Sequence, residues 1–351
     1  MKLTRWILII GIVACANASF AQQSSKTAIH VFGGWAYGKT DGNGYLSGTK
    51  KGDYSATSLS LAISAAPAGH LRIFASSQQT ESTTQIDYAF GEWTFSDALR
   101  LRAGKIKHPF GISTEVYDVG TLRPFFSLPQ SVYGPVGTLA ESLNGVGAAG
   151  VRRLGPSWTV KYDAYFGALS LPYADFGEEG HGGAATGEQV LDTKEVIGAR
   201  LVVETPIDGL SFGASAYSGK LAPDESAMRP RHSAAGLQAE YLTDRVSLRA
   251  EWTRPRTGDE GEHGGYFEAA YHLTSHWQVA ARHEELHEDA DHSLIGHHHE
   301  SALGINYWVS PHFVVKLSAH KVEGLHLVVP ETDGQAKPKT TLLNFGAQFS
   351  F

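Results

Sequence analysis

The chain has 351 residues, with 29 Lys and Arg against 36 Asp and Glu, and a formal net charge of −7. That acidic balance argues against nucleic acid as a partner, and a single cysteine, Cys15, excludes a disulfide framework. Beyond Trp6–Ala16 no long apolar run follows, which excludes a helical membrane protein but not a barrel, whose strands are only half apolar.

The chain opens as a secretory signal. Lys2 and Arg5 precede the apolar Trp6–Ala16, and Ser19-Phe20-Ala21 places small residues at a cleavage site, so residues 1–21 are expected to leave and Gln22 to begin the mature chain. An uncleaved anchor is disfavoured because the run is short for a hydrocarbon core of about 30 Å. Ile12-Val13-Ala14-Cys15 resembles a lipoprotein processing site, but the Ala21 site follows directly. Cleavage would remove two basic residues, leaving 29 − 2 = 27 against 36 acidic ones, a net −9, and no cysteine.

From residue 29 onward, apolar residues alternate with small or polar ones, the period-two signature of a strand with two different faces. Ile29 to Tyr37, Leu59 to Ile63, Leu71 to Ala75, Ile86 to Phe90 and Leu99 to Ala103 are predicted as strands. A weaker one spans Val146 to Arg152. Trp158 to Phe166, Ile197 to Val203, Leu210 to Ala214, Ala235 to Tyr241 and Val246 to Trp252 follow. The series ends with Phe267 to Leu273, Trp277 to Ala281, Leu303 to Val309, Phe313 to Ala319 and Thr341 to Phe349. The connections alternate between short turns such as Thr243-Asp244 and Thr274-Ser275 and long segments around 38–53, 76–83, 106–143, 170–193, 219–231, 254–264, 284–299 and 323–339. An all-β transmembrane antiparallel barrel of about sixteen strands is therefore expected over 22–351, with tight periplasmic turns and long extracellular loops.

The last strand places Phe345, Ala347 and Phe349 on one face, and the chain ends at Phe351. This resembles the C-terminal signal of Gram-negative outer-membrane proteins, which implies outer-membrane lipid and the barrel-assembly machinery as partners, with Phe351 as the insertion signal. The third long connection, 106–143, holds Pro109, Pro124, Pro129 and Pro135 among aromatic residues, a composition that packs rather than flaps. It starts at Gly104-Lys105-Ile106-Lys107-His108-Pro109-Phe110-Gly111, which resembles the glycine-basic-x-Lys-x-Pro-Phe-Gly segment of phosphate- and polyphosphate-selective porins. The resemblance implies a third loop folded into the pore, with Lys105, Lys107 and Arg123 as constriction candidates beside Arg100 and Arg102. Leu122 to Gly134 departs from that family's pattern, so phosphate selectivity is left open while the porin architecture stands.

Strand phase assigns Arg72, Lys161, Arg200, Arg249, Arg282 and Lys316 to the lumen, with Asp87, Asp163, Glu195, Glu204, Glu240, Glu251 and Glu268. Such a face is either wet or salt-bridged, and mixed sign suggests a transverse field with weak selectivity. Two motifs mislead. Gly145-Val146-Gly147-Ala148-Ala149-Gly150 spells a dinucleotide-binding pattern, but Gly155-Pro156 follows where a helix is required. His283-Glu284-Glu285-Leu286-His287 spells a zinc-protease pattern without the apolar helical face that chemistry needs. The surrounding outer loop carries His287, His292, His297, His298 and His299 among carboxylates, a donor set for zinc, nickel or copper, although without fixed ligand spacing the default reading is a solvated loop whose histidines respond to pH.

The expected function is a passive diffusion channel for small hydrophilic solutes or ions, with no cofactor and no catalytic residues. A metal-binding or uptake protein using the histidine loop, a barrel-based enzyme and a soluble secreted β-protein are the alternatives. Monomer and homotrimer both stay open.

Overall fold

The computed structural model describes residues 27–81, 83–175, 187–222, 230–289, 296–330 and 336–351. The signal assigned to 1–21, the start at Gln22 and His292 lie outside them. Sixteen long strands form the wall: β1 (Thr27–Thr40), β2 (Asp53–Ala68), β3 (Leu71–Thr80), β4 (Thr84–Ser96), β5 (Leu99–Lys107), β6 (Ser142–Leu154), β7 (Trp158–Asp175) and β8 (Gly187–Glu204). They continue as β9 (Leu210–Leu221), β10 (Arg231–Leu242), β11 (Val246–Thr257), β12 (Glu260–His272), β13 (Trp277–Glu288), β14 (His297–Ser310), β15 (Phe313–Gly324) and β16 (Lys339–Ser350). Each pairs antiparallel with its neighbours in chain order, and β16 returns to β1 with Phe32 opposite Ser350 and Tyr37 opposite Phe345. The sheet is thus a closed sixteen-stranded barrel, with one extra two-residue strand, Gly48–Thr49, in the first loop.

The outer face carries the apolar residues. Trp35, Ile73, Trp93, Leu101, Trp158, Leu201, Phe212, Trp252, Phe267, Trp277, Tyr307 and Phe345 are all exposed, and Phe166 and Leu303 reach 54% and 68%. Asp163, Glu251, Glu268, Arg282 and Lys316 are buried on the other face. A soluble sandwich would bury the first set and expose the second; the reversed order belongs to a barrel with lipid outside. Closure serves the same end, since lipid offers no hydrogen-bond partner to a free sheet edge. The final residue completes it: the Phe351 and Val31 backbones exchange two hydrogen bonds of 2.9 Å.

Four connections differ from the sequence expectation; in 170–193, β7 extends to Asp175 and β8 begins at Gly187. Most of the segment around 76–83 is strand, since β3 runs to Thr80 and β4 resumes at Thr84. Around 254–264, Thr257 pairs with Glu260 across Gly258-Asp259, and Gly258 supplies the left-handed residue at φ 61°. In the histidine-rich segment 284–299, β13 extends to Glu288 and β14 begins at His297, so four of its five candidate histidines stand on strands. In the last two the period-two pattern continues above the apolar belt on charged and polar side chains, where hydrophobicity does not reveal it. Glu195 is a further correction. It sits at a strand irregularity in β8 with φ 54°, exposed and paired with Lys220 at 2.5 Å rather than facing the lumen.

Replacing Phe351 with Ser removes an exposed apolar anchor worth about 1.5–3 kcal/mol in an apolar environment while leaving the backbone bonds to Val31 possible. The folded, heat-modifiable fraction in outer membranes should fall severalfold relative to wild type; equal amounts would contradict an assembly role for this residue.

Candidate functional site

The functional region is the lumen and the third loop that enters it. At the end of β5, Gly104 adopts φ 125°, and a Cβ there would lie 2.5 Å from the Ala89 carbonyl oxygen. The chain then turns inward at His108-Pro109-Phe110. Three single turns follow, at Thr114–Val116, Gly120–Leu122 and Gln130–Tyr133, and β6 begins at Ser142. Phe110 is fully buried against Tyr217 and Gly236, and Phe125 is buried on the opposite arc beside Gly304 and His320. Gly111, at φ 67°, passes close enough to Glu251 that a Cβ would come within 2.5 Å of its Oε1.

The loop is held by its backbone. Wall acceptors take its N–H groups: Ser215 Oγ from Gly111 at 3.2 Å, Glu251 from Ile112 at 2.8 Å and Glu284 from Ser131 at 2.8 Å. Wall donors take its carbonyls. Lys316 Nζ donates to Gly120 at 2.8 Å, Arg123 at 2.5 Å and Phe125 at 3.2 Å. Arg249 donates to Leu122, Arg282 to Ser127 and Asn306 to Pro124, at 3.0, 3.0 and 2.8 Å. A loop without regular secondary structure can remain buried only if its peptide groups find partners in this way.

The lumen charges form two networks. On one arc Arg102 binds Glu92 at 2.8 Å and lies 3.6 Å from Asp163, while Arg200 binds Asp163 and the loop's Glu115, at 2.9 and 2.8 Å. Arg100 is 3.9 Å from Glu92 and one-third exposed. Burial pushes the Glu115 carboxyl up, but the facing guanidinium groups of Arg200 and Arg102 outweigh it and hold the group below its ordinary range. On the other arc Glu240, Arg249, Glu268, Arg282 and Glu300 follow one another, with Arg249–Glu240 and Arg282–Glu300 at 2.8 Å. Glu251 accepts from Tyr133 and Tyr266 at 2.5 and 2.7 Å. These pairings brace wall and loop together.

Lys107 is buried against Asp118 of the loop at 3.0 Å, near Asp87, which Ser76 caps at 3.1 Å. Lys105 donates to the Ile86 carbonyl, and Arg123 donates to the Tyr117 carbonyl at 2.9 Å. The three constriction candidates thus lie in or beside the folded loop. Lys161 is half exposed and pairs with Glu204 at 2.5 Å. Arg72 is exposed toward the lumen's periplasmic end, in a cavity of about 920 Å³ shared with Arg100, Arg152 and Arg153. Of the histidines, His298 points inward, fully buried near Tyr45 and Glu300, while His287, His297 and His299 are only partly buried. Sequence reading missed Glu92, which alternation with Trp93 places inward, and the loop acids Glu115 and Asp118, for which no sequence signal stands out.

Residues 214–351 match the family described as phosphate-selective porin O and P. No curated protein sequence matches the chain. Among solved structures, an anion-selective porin from Comamonas acidovorans superposes with TM-score 0.60 at 14% identity, covering 93% of this chain and 100% of that one. Salmonella typhi OmpF in complex with daunomycin gives 0.62 at 12%, covering 93% and 98%. The trimer form of Vibrio cholerae OmpT gives 0.58 at 12%, covering 94% and 100%. The closed wall and the outward apolar belt give the chain the fold of an outer-membrane β-barrel of the porin type, and its residues 214–351 are similar to the porin family named above.

Lys316→Met removes the donor to three buried loop carbonyls, each costing about 1–3 kcal/mol if left unmet. The barrel should still assemble, but the loop should become protease-sensitive and the channel noisier; unchanged digestion would show that Lys316 does not fasten the loop.

His108 is fully buried, with Nε2 2.9 Å from the Tyr165 hydroxyl, and burial lowers its pKa from 6.5 to about 3. The unfolded chain therefore binds more protons between these values, so His108 contributes stability above pH 6.5 that is lost as pH falls toward 3. Loop cleavage by an acid-active protease should rise over that window in wild type and rise less in His108→Gln; parallel profiles would contradict it.

Proposed function

We propose that the protein is a passive diffusion channel for small hydrophilic solutes with a preference for anions, narrowed by its third loop. The observation that carries the reading is the distribution of cations left on the open side of the lumen. The loop is fastened along the arc from β7 through β16 and also, through Asp118 and Glu115, to Gln78, Lys107 and Arg102 of β3 and β5, which leaves the periplasmic part of β3–β6 toward the passage. That part presents Arg100, one-third exposed, and opens into the cavity where Arg72, Arg100, Arg152 and Arg153 outnumber Glu92 and Asp97. Low-dielectric walls focus the field of such a row on a passing ion.

In this reading Arg72 and Arg100 set the field, Arg102 and Arg200 balance Glu92, Asp163 and Glu115, and Lys107 and Arg123 brace the loop through Asp118 and the Tyr117 carbonyl. The phosphate-selective description of the matching family and the anion selectivity named for the Comamonas porin point the same way. Residues 1–21 serve as the export signal, with Gln22 first in the mature chain. A homotrimer fits, as one similar barrel is described in a trimer form. No chemical step is assigned: His283 and His287 of the protease-like motif stand on strand β13 rather than on a helix.

Replacing Arg72, Arg100 and Arg153 with Glu should move the reversal potential in a KCl gradient toward cation preference. The shift should be largest near 0.01 M salt, where the Debye length is about 30 Å, and small near 1 M, where it is about 3 Å. Lys321→Glu on the outer face should leave it in place. Unchanged selectivity in the assembled triple variant would overturn the assignment.

A further inference from the structure

Above the apolar belt, at the loop-bearing end of β12–β14, a group of histidines stands apart from the lumen. In β13, residues 283, 285 and 287 are less buried than Arg282, Glu284 and Leu286, which face inward. In β14, His297 and His299 alternate with the buried His298 and Glu300 in the same manner. Register places His287 directly opposite His297, and Glu285 opposite His299. Directly opposed side chains have Cβ atoms about 4.5–5.5 Å apart, close enough for two rings to reach one ion.

The rings converge. His287 and His297 have centroids 4.5 Å apart, His287 and His299 4.9 Å, and His297 and His299 lie stacked at 6.1 Å. The Nδ1 atoms of His287 and His297 face each other at 2.5 Å, and one nitrogen from each of the three imidazoles lies within 4.8 Å of the others. Two neutral imidazole nitrogens pointed at each other need a proton or a cation between them, because at most one can donate. Glu285 lies 3.7 Å from His287 Nε2 and 3.6 Å from His299 Nδ1, and it also accepts from His283 Nε2 at 3.0 Å. A carboxylate behind ligating imidazoles fixes ring orientation and raises ligand basicity.

We propose that His287, His297 and His299 form a surface site for one divalent transition-metal ion, oriented by Glu285. Three imidazoles with one open position suit zinc, copper or nickel; oxygen-seeking magnesium and calcium are not served. The site differs from a histidine-loop chelate in two respects. Its ligands are fixed on paired strands, so little ordering entropy opposes binding. It also excludes His298, which strand alternation turns into the buried interior. Because it lies on the outer wall, it is independent of the diffusion channel, and an ion there would tie the upper ends of β13 and β14 together.

The test is calorimetric titration of zinc chloride into the full-length protein, folded in detergent, at pH 7.5. One ion per chain is expected. His297→Gln should weaken binding at least tenfold, and the triple variant His287→Gln/His297→Gln/His299→Gln should abolish it, while His312→Gln at the opposite end leaves it unchanged. Affinity should fall steeply below pH 6 as the imidazoles protonate. Circular dichroism confirms that each variant retains its sheet, and the single His299→Gln variant, at a partly exposed position, serves if the triple variant fails to fold. Absence of saturable binding, or equal binding by wild type and a folded variant, would overturn the proposal.

Discussion

The constraint on which the structure depends is that lipid cannot hydrogen-bond a peptide group. Every strand must find two neighbours, and the first and last must find each other. The β1–β16 pairing supplies this, and the chain ends on the residue that finishes it. Closing sixteen strands makes a lumen too wide for side chains alone to fill. The inner face must therefore be wet, occupied by another part of the chain, or both.

The third loop occupies part of that space. Its irregular backbone would be costly to bury in an apolar interior, so the wall that receives it is polar in a complementary sense. Acids and hydroxyls meet N–H groups; lysine, arginine and asparagine meet carbonyls. The same charges thus fasten the loop and shape the field. Lys316 is spent almost wholly on loop carbonyls and Gln348, whereas Arg72 and Arg100 remain toward open space. Counting lumen charges by strand phase overstates those available to a solute, because Arg249, Arg282 and Arg200 are held in ion pairs.

The wall was legible in the sequence where lipid demands it. Trp158 to Phe166 and Phe345 to Phe349 alternate because one face meets hydrocarbon, and all sixteen strands could be read from that belt. Above the belt the alternation passes to residues of one polarity class. Glu284, Glu285, Leu286 and His287 form a strand that looks like an acidic loop, and the separation of His298 from His297 and His299 is visible only once the strand is known. The 106–143 loop was legible in its extent and its tendency to pack. Its fastenings were not, since Gly120 meets Lys316 and Ile112 meets Glu251 across separations that local pattern cannot span.

The central claim is that the folded loop narrows a conducting barrel. Single-channel recording of the purified protein in planar bilayers, beside a variant with residues 112–139 replaced by a short glycine-serine linker, tests it most directly. The wild type should open in steps of uniform size, and the loop-excised barrel should conduct several times more. Silence from the folded wild type, or equal step size in the two proteins, would contradict the account.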